Sequence, residues 1–167
     1  MGGRDKGLVP YRGKPLVDHV IARIAPQVDE LLISANRNLG DYARRGYRIV
    51  TDALPDFPGP LAGVLAGLQA ASHEWVLVVP CDMPQLPEDL ARRMAAASRD
   101  ASIVIAEDGV RSHPAVMLIH ARLAQALADY LAGGKRSVHG FQESVGFAKA
   151  VFDPDEMANI NRLDEAG

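Results

Sequence analysis

The chain has 167 residues, a length suited to one domain of roughly 100 to 200 residues, with an ordinary globular balance of 48% apolar and 23% charged residues. Lys plus Arg number 18 against 21 for Asp plus Glu, a formal charge of −3, so there is no broad basic field for nucleic acid or an anionic membrane, and any anion site is local. The lone cysteine, Cys81, excludes an internal disulfide framework and a multi-cysteine zinc site and points to a reducing compartment, the cytoplasm, while no apolar run approaches the roughly 18 residues of a membrane span.

The chain opens on Met1-Gly2-Gly3-Arg4-Asp5-Lys6, which has no apolar core and is not a signal peptide. From Pro15 to Val28, apolar residues at Leu16, Val17, Val20, Ile21, Ile24 and Val28 predict a helix, with Pro15 suited to its first turn. Glu30 to Ser34 reads as a short buried strand ending in the polar Ala35-Asn36-Arg37-Asn38. A short helix over Asp41 to Arg45 and a strand from Tyr47 to Thr51, closing on Asp52, follow. Three prolines between Pro55 and Pro60 predict a loop, and Leu61 to Ala71 a helix carrying Gly63 and Gly67 on one face.

Trp75 to Pro80 is the clearest strand and is expected at the centre of the sheet. Beyond it the pattern predicts a helix over Glu88 to Ala97, strands over Ser102 to Ala106 and Ala115 to Ile119, and a helix over Ala121 to Leu131. A short helix over Arg136 to Gln142 and a last strand over Phe147 to Phe152 complete it. Alternating helices and strands predict an α/β fold with a mainly parallel, doubly wound sheet and helices on both faces.

In such a sheet, ligands bind beyond the carboxyl ends of the strands. Ser34, Asn36, Asp52 and Asp82 occupy such ends, and Asp82, stiffened between Pro80 and Pro84, is a metal or ribose ligand or else a turn cap. The glycines and cations of Gly2 to Gly7 suit phosphate binding, although the same composition also describes a plain tail. Gly63 reads as close helix packing or as close approach to a ligand. Gly133-Gly134-Lys135-Arg136 reads as an anion-binding turn or a helix cap. His113-Pro114, opening a strand, reads as a ligand contact or a turn, Cys81 as a buried thiol, and Asn159-Ile160-Asn161 as ligand contacts or a turn.

Taken in order, these segments resemble the molybdenum cofactor guanylyltransferase family of Rossmann-like nucleotidyltransferases. The opening Gly2-Gly3-Arg4-Asp5-Lys6 is similar to the second half of that family's Leu-Ala-Gly-Gly to Gly-Gly-x-Asp-Lys signature. Gly13-Lys14-Pro15-Leu16, Ser34-Ala35-Asn36-Arg37, Asp52, Pro58 to Gly63, Pro80 to Pro84, His113-Pro114 and Asn159-Ile160-Asn161 match in turn.

The resemblance implies transfer of GMP from GTP to the molybdopterin form of the molybdenum cofactor, with Mg²⁺ as metal. It assigns catalysis to Lys6 and Asp82, with Asp82 holding the metal. GTP would be bound by Lys6, Ser34, Asn36, Asp52 and Asp82, and the pterin half by Gly3, Gly59, Gly63, Arg136, Asn159 and Asn161. Partners that deliver or receive the cofactor are expected; nucleic acid and membrane are not. Cytidylyl transfer, sugar-phosphate nucleotidyl transfer and an inactive cofactor-binding module are the alternatives. Because the family's first strand and Leu-Ala-Gly-Gly turn do not appear, residues 1–167 are expected to form one N-terminally incomplete nucleotidyltransferase domain with weak or absent GTP binding and with activity in an extended version.

Overall fold

The computed structural model describes residues 5–52 and 59–160. A turn of 3-10 helix at Lys6–Leu8 leads into a small hairpin, β1 (Pro10–Tyr11) and β2 (Lys14–Pro15). Arg12 and Gly13 turn it with φ of +45° and +82°, the positive values that two-residue hairpin loops require. Helix α1 (Leu16–Ile24) then gives way to 3-10 geometry at Ala25–Gln27 instead of reaching Val28, because Pro26 has no N–H to donate and its ring obstructs a continuing α-turn.

Strand β3 (Leu32–Ser34), helix α2 (Leu39–Ala43) and strand β4 (Arg48–Val50) form a parallel two-stranded unit, registered Leu32 to Arg48 and Ser34 to Val50. Helix α3 (Pro60–Ala70) and strand β5 (Trp75–Val78) follow, then helix α4 (Leu90–Ser98), β6 (Ile103–Glu107) and β7 (Ser112–His120). A 3-10 turn at Ala121–Leu123 opens α5 (Ala124–Ala132), and α6 (Val138–Val145) and β8 (Ala148–Val151) complete the described chain. The predicted proline loop falls largely on residues 53–58, outside the described residues.

The larger sheet has the order β5-β7-β6-β8, with β7 antiparallel to both neighbours and β6 parallel to β8. The α/β class with helices on both faces is as expected. The antiparallel strand arises because β6 and β7 are joined by the tight Asp108-Gly109-Val110 turn, too short for a crossover. Strand β5, expected at the centre, is an edge strand among the described residues, and its four residues are only partly buried. β3 and β4 form a separate sheet instead of continuing the larger one.

Alternation along β6 and β7 divides the core. Ile103, Ile105, Met117 and Ile119 face α3, α5 and α6, whereas Val104, Ala106, Val116 and Leu118 face α4 and the end of α1. Burial on both faces is why β6 reads as an unbroken apolar run. A smaller cluster of Val17, Ile33 and Tyr42 holds the β3–β4 unit onto α1. Among the described residues no helix is long and apolar enough to cross a membrane.

Candidate active site

Strands β5 and β6 run in the same direction, so the segments after them, carrying Asp82 and Asp108, leave along one edge of the larger sheet. Lys6, at the start of the chain's first turn, reaches that edge. Its Nζ lies 3.2 Å from Asp82 Oδ2, with the lysine half-exposed and the carboxylate mostly covered. The backbone carbonyl of Asp82 accepts the Ile160 N–H at 2.9 Å, which brings the backbone next to Asn159 to the same place. Three segments far apart in sequence therefore meet at Asp82.

A second group collects at the ends of β3 and β4. Asn36 Nδ2 donates to Asp52 Oδ2 at 2.7 Å, and the Asp52 N–H donates to Asn36 Oδ1 at 2.9 Å, a reciprocal pair that locks the two strand ends together. The other carboxylate oxygen, Asp52 Oδ1, is buried and has no hydrogen-bond partner among the described residues, so it is an acceptor still to be satisfied. Gly63 lies against this group: a Cβ there would stand 2.6 Å from Ser34 Oγ and 3.6 Å from Asp52 Oδ1. Close approach of α3 to Ser34, the packing alternative for Gly63, is thus present, and it occurs at a predicted ligand contact.

Asp5 ties the two groups together. Its carboxylate accepts from Tyr42 Oη at 2.6 Å, Asn38 Nδ2 at 3.1 Å and the Gly7 N–H at 3.2 Å, and Arg37 Nε lies 3.7 Å away. Burial, then the Asp5 hydrogen bond and charge, push the Tyr42 hydroxyl well above the usual phenol range, so it stays a donor. Sequence reading assigned no role to Asp5 beyond its motif. The available signal was Tyr42, an aromatic with a polar tip on the buried side of a short helix, which needs a partner.

Other predicted residues divide. Gly59 begins α3 at φ +140°, backbone that a side chain rarely adopts. Arg136 donates to the Leu131 carbonyl at 2.9 Å and the Lys135 carbonyl at 2.6 Å, the capping alternative at the end of α5. Gly3 and Asn161 lie outside the described residues. His113 is more than a turn residue: its Nε2 is 2.8 Å from the fully covered carboxylate of Asp108. The Cys81 thiol is pushed up by burial and then by the Asp82 and Asp5 carboxylates, as expected of a buried thiol and not of a nucleophile.

The β3–β4 group, with Asp5 and Cys81, lines one end of a cavity of about 1270 Å³. Among the described residues no group of three or more His, Cys, Asp or Glu side chains converges on a metal position. Asp82, next to Cys81 and paired with Lys6, offers a hard carboxylate oxygen beside this lining. That suits Mg²⁺, which keeps several waters and is commonly held by one or two carboxylates together with substrate phosphates.

Residues 1–145 match the model of the MobA-like NTP transferase domain. The chain is 45% identical over 163 residues to a molybdenum cofactor guanylyltransferase of Yersinia pseudotuberculosis, covering 96% of this chain and 84% of the relative. Among solved structures it is similar to molybdopterin-guanine dinucleotide biosynthesis protein A of Archaeoglobus fulgidus, with TM-score 0.72, 16% identity, and 98% and 80% of the two chains covered. It is also similar to 2-C-methyl-D-erythritol 4-phosphate cytidylyltransferase of Thermus thermophilus, with TM-score 0.68, 17% identity, and 96% and 91% covered. These two structural likenesses concern the fold.

Proposed function

The chain belongs to the MobA-like NTP transferase family, and we propose that it transfers GMP from GTP to the molybdopterin form of the molybdenum cofactor, releasing pyrophosphate. The observation that carries this reading is the pairing of Lys6 with Asp82 at 3.2 Å, beside the cavity end lined by Asp5, Asp52 and Cys81. An oxygen of the pterin's phosphate attacks the α-phosphorus of GTP in line with departing pyrophosphate. Two anions must therefore meet, and catalysis rests on charge neutralisation and positioning more than on a protein nucleophile.

Lys6 is exposed enough to turn its ammonium from Asp82 toward the triphosphate, and it neutralises charge there. Asp82 would hold Mg²⁺, which when bound draws charge from the phosphate oxygens. The Ser34 to Asn36 segment and Asp52 bind the guanosine. Asp52 Oδ1 is buried towards Gly63 and Oδ2 accepts from Asn36, so this carboxylate supports the guanosine side by holding the two strand ends together. Gly59, Gly63, Arg136 and Asn159 form the pterin side, together with Gly3 and Asn161. The lone Cys81 supports a cytoplasmic setting.

Substituting Asp82→Ala lowers GMP transfer by roughly a thousandfold or more, as for other losses of phosphoryl-transfer charge stabilisation. Near-normal turnover by that variant, assayed with GTP, Mg²⁺ and molybdopterin, overturns the assignment. Competition between GTP and CTP for the enzyme tests the base, and equal binding of the two overturns the preference for guanine.

A further inference from the structure

Two neighbouring arginines on α4 behave differently. The Arg92 side chain is largely exposed and, among the described residues, pairs with Asp89 just before its own helix. Arg93 instead reaches a segment far along the chain. Its Nη2 donates to the Val151 carbonyl at 2.9 Å, where β8 ends, and its Nη1 donates to both carboxylate oxygens of Glu156, at 3.2 and 3.1 Å. Its guanidinium lies 4.1 Å from the centre of the Phe152 ring, and Asp89, 3.5 Å from Nη1, steadies it from the helix side. A planar fork of donors holds a carbonyl, a carboxylate and an aromatic face at once, which a lysine ammonium cannot do.

What Arg93 grips is the stretch from Phe152 to Ile160. Phe152 and Met157 are buried, in the same cluster as Met83, Leu86, Leu90 and Met94. Between them Asp153, Pro154 and Asp155 are exposed, so apolar packing fixes the two ends of this turn and not its middle. Glu156 secures the middle. Its Oε2 accepts the Asp153 N–H at 3.0 Å as well as Arg93, and its own N–H donates to the Asp153 carbonyl at 3.1 Å. Beyond Met157, the Ile160 N–H donates to the Asp82 carbonyl at 2.9 Å, and Met83, next to Asp82, shares the buried cluster with Met157. One arginine therefore fastens the segment that carries Asn159 against the segment that carries Asp82.

We propose that Arg93 is a positioning residue for transfer, clamping the turn at Glu156 so that Asn159 is held at a fixed place beside Asp82. The proposal rests on the reading of Asn159 as part of the pterin side. In-line attack tolerates little misplacement of the phosphate that the pterin brings to the α-phosphorus, so a turn free to shift is costly there. The guanosine group, built on the Asn36–Asp52 pair at the ends of β3 and β4, stands apart from the clamp. An ion pair kept only for stability would affect both substrates alike, whereas the clamp acts on one.

One readout is separate from turnover. Hydrogen exchange of the Ile160 amide quickens by roughly tenfold or more in Arg93→Ala and is unchanged in Arg92→Ala. The Arg93 side chain is 32% exposed, so its truncation leaves the apolar core in place. In transfer assays with GTP and Mg²⁺, Arg93→Ala raises the KM for molybdopterin by roughly tenfold and leaves the KM for GTP within about twofold. Glu156→Ala does the same, and the double variant is no worse than either single one, because the two side chains act as a unit. Unchanged Ile160 exchange in Arg93→Ala, equal rises in both KM values, or effects that multiply in the double variant overturn the proposal. Absence of transfer by the parent chain overturns the reading of function instead, and the Ile160 exchange then decides the clamp by itself.

Discussion

Asp5, Lys6, Asn36, Tyr42, Asp52 and Asp82 work as pairs. Lys6 is placed by Asp82, Asn36 by Asp52 and Tyr42 by Asp5, each through a polar contact between segments far apart in the chain. Gly63 is the most sensitive position. In Gly63→Ala the added Cβ meets Ser34 Oγ at 2.6 Å, so the serine must move, an overpacking cost of about 1 to 3 kcal/mol. The gain from replacing glycine inside α3 is about 1 kcal/mol, so the net cost in stability is about 0 to 2 kcal/mol while the geometry of Ser34 changes. GTP affinity is expected to fall by roughly tenfold, about 1.4 kcal/mol, with a melting temperature equal to that of the parent or a few degrees lower. Titration calorimetry checks this, and unchanged affinity rules it out. The candidate residues themselves were legible in the sequence because polar residues at the ends of apolar strands are conspicuous. The role of Asp5 was not, since a carboxylate beside a lysine says nothing of a tyrosine 37 positions away.

At the level of elements, the β6–β7 hairpin departs most from expectation. Its register shifts between Ile105 and Ala106, from Met117 to His113, so β7 bulges around Pro114. Proline is tolerated there because it is spared a ladder hydrogen bond, and the Pro114 carbonyl accepts from Gln142 Nε2 at 2.8 Å. The turn itself is held by Asp108, which accepts the Val110 and Arg111 N–H groups and pairs with His113. Burial pushes the Asp108 carboxyl up, but the backbone donors and His113 outweigh it and hold it at about 2, below its ordinary 3.8. A depressed carboxylate stabilises the fold above its unfolded value and loses that contribution as pH falls through its folded value. Stability should therefore drop between about pH 4 and pH 2, and Asp108→Asn should remove this part of the slope while lowering stability at neutral pH. Denaturant melts across that range decide; parallel curves for the two proteins refute the assignment. Sequence periodicity located both strands but could not show the bulge, because a register shift is a property of a pair of strands.

Across the whole molecule, two bodies of unequal strength share α1 and α3. The larger sheet has buried clusters on both faces, whereas the β3–β4 unit is held by Val17, Ile33 and Tyr42 with a few partly buried neighbours. Because local stability follows buried apolar contact, amides of β3 and β4 are expected to exchange with opening free energies about 2 kcal/mol or more below those of β6 and β7. Uniform exchange across both sheets contradicts this. The sequence by itself determined the α/β class, most elements to within a few residues, and the polar strand ends, all of which follow from local periodicity and residue chemistry. Only the tertiary structure decided that β5 is an edge strand among the described residues, that Asp5 clamps Tyr42, and that Lys6 meets Asp82. Each of these depends on which groups find partners across the chain, and a one-dimensional pattern of apolar and polar residues does not specify that pairing.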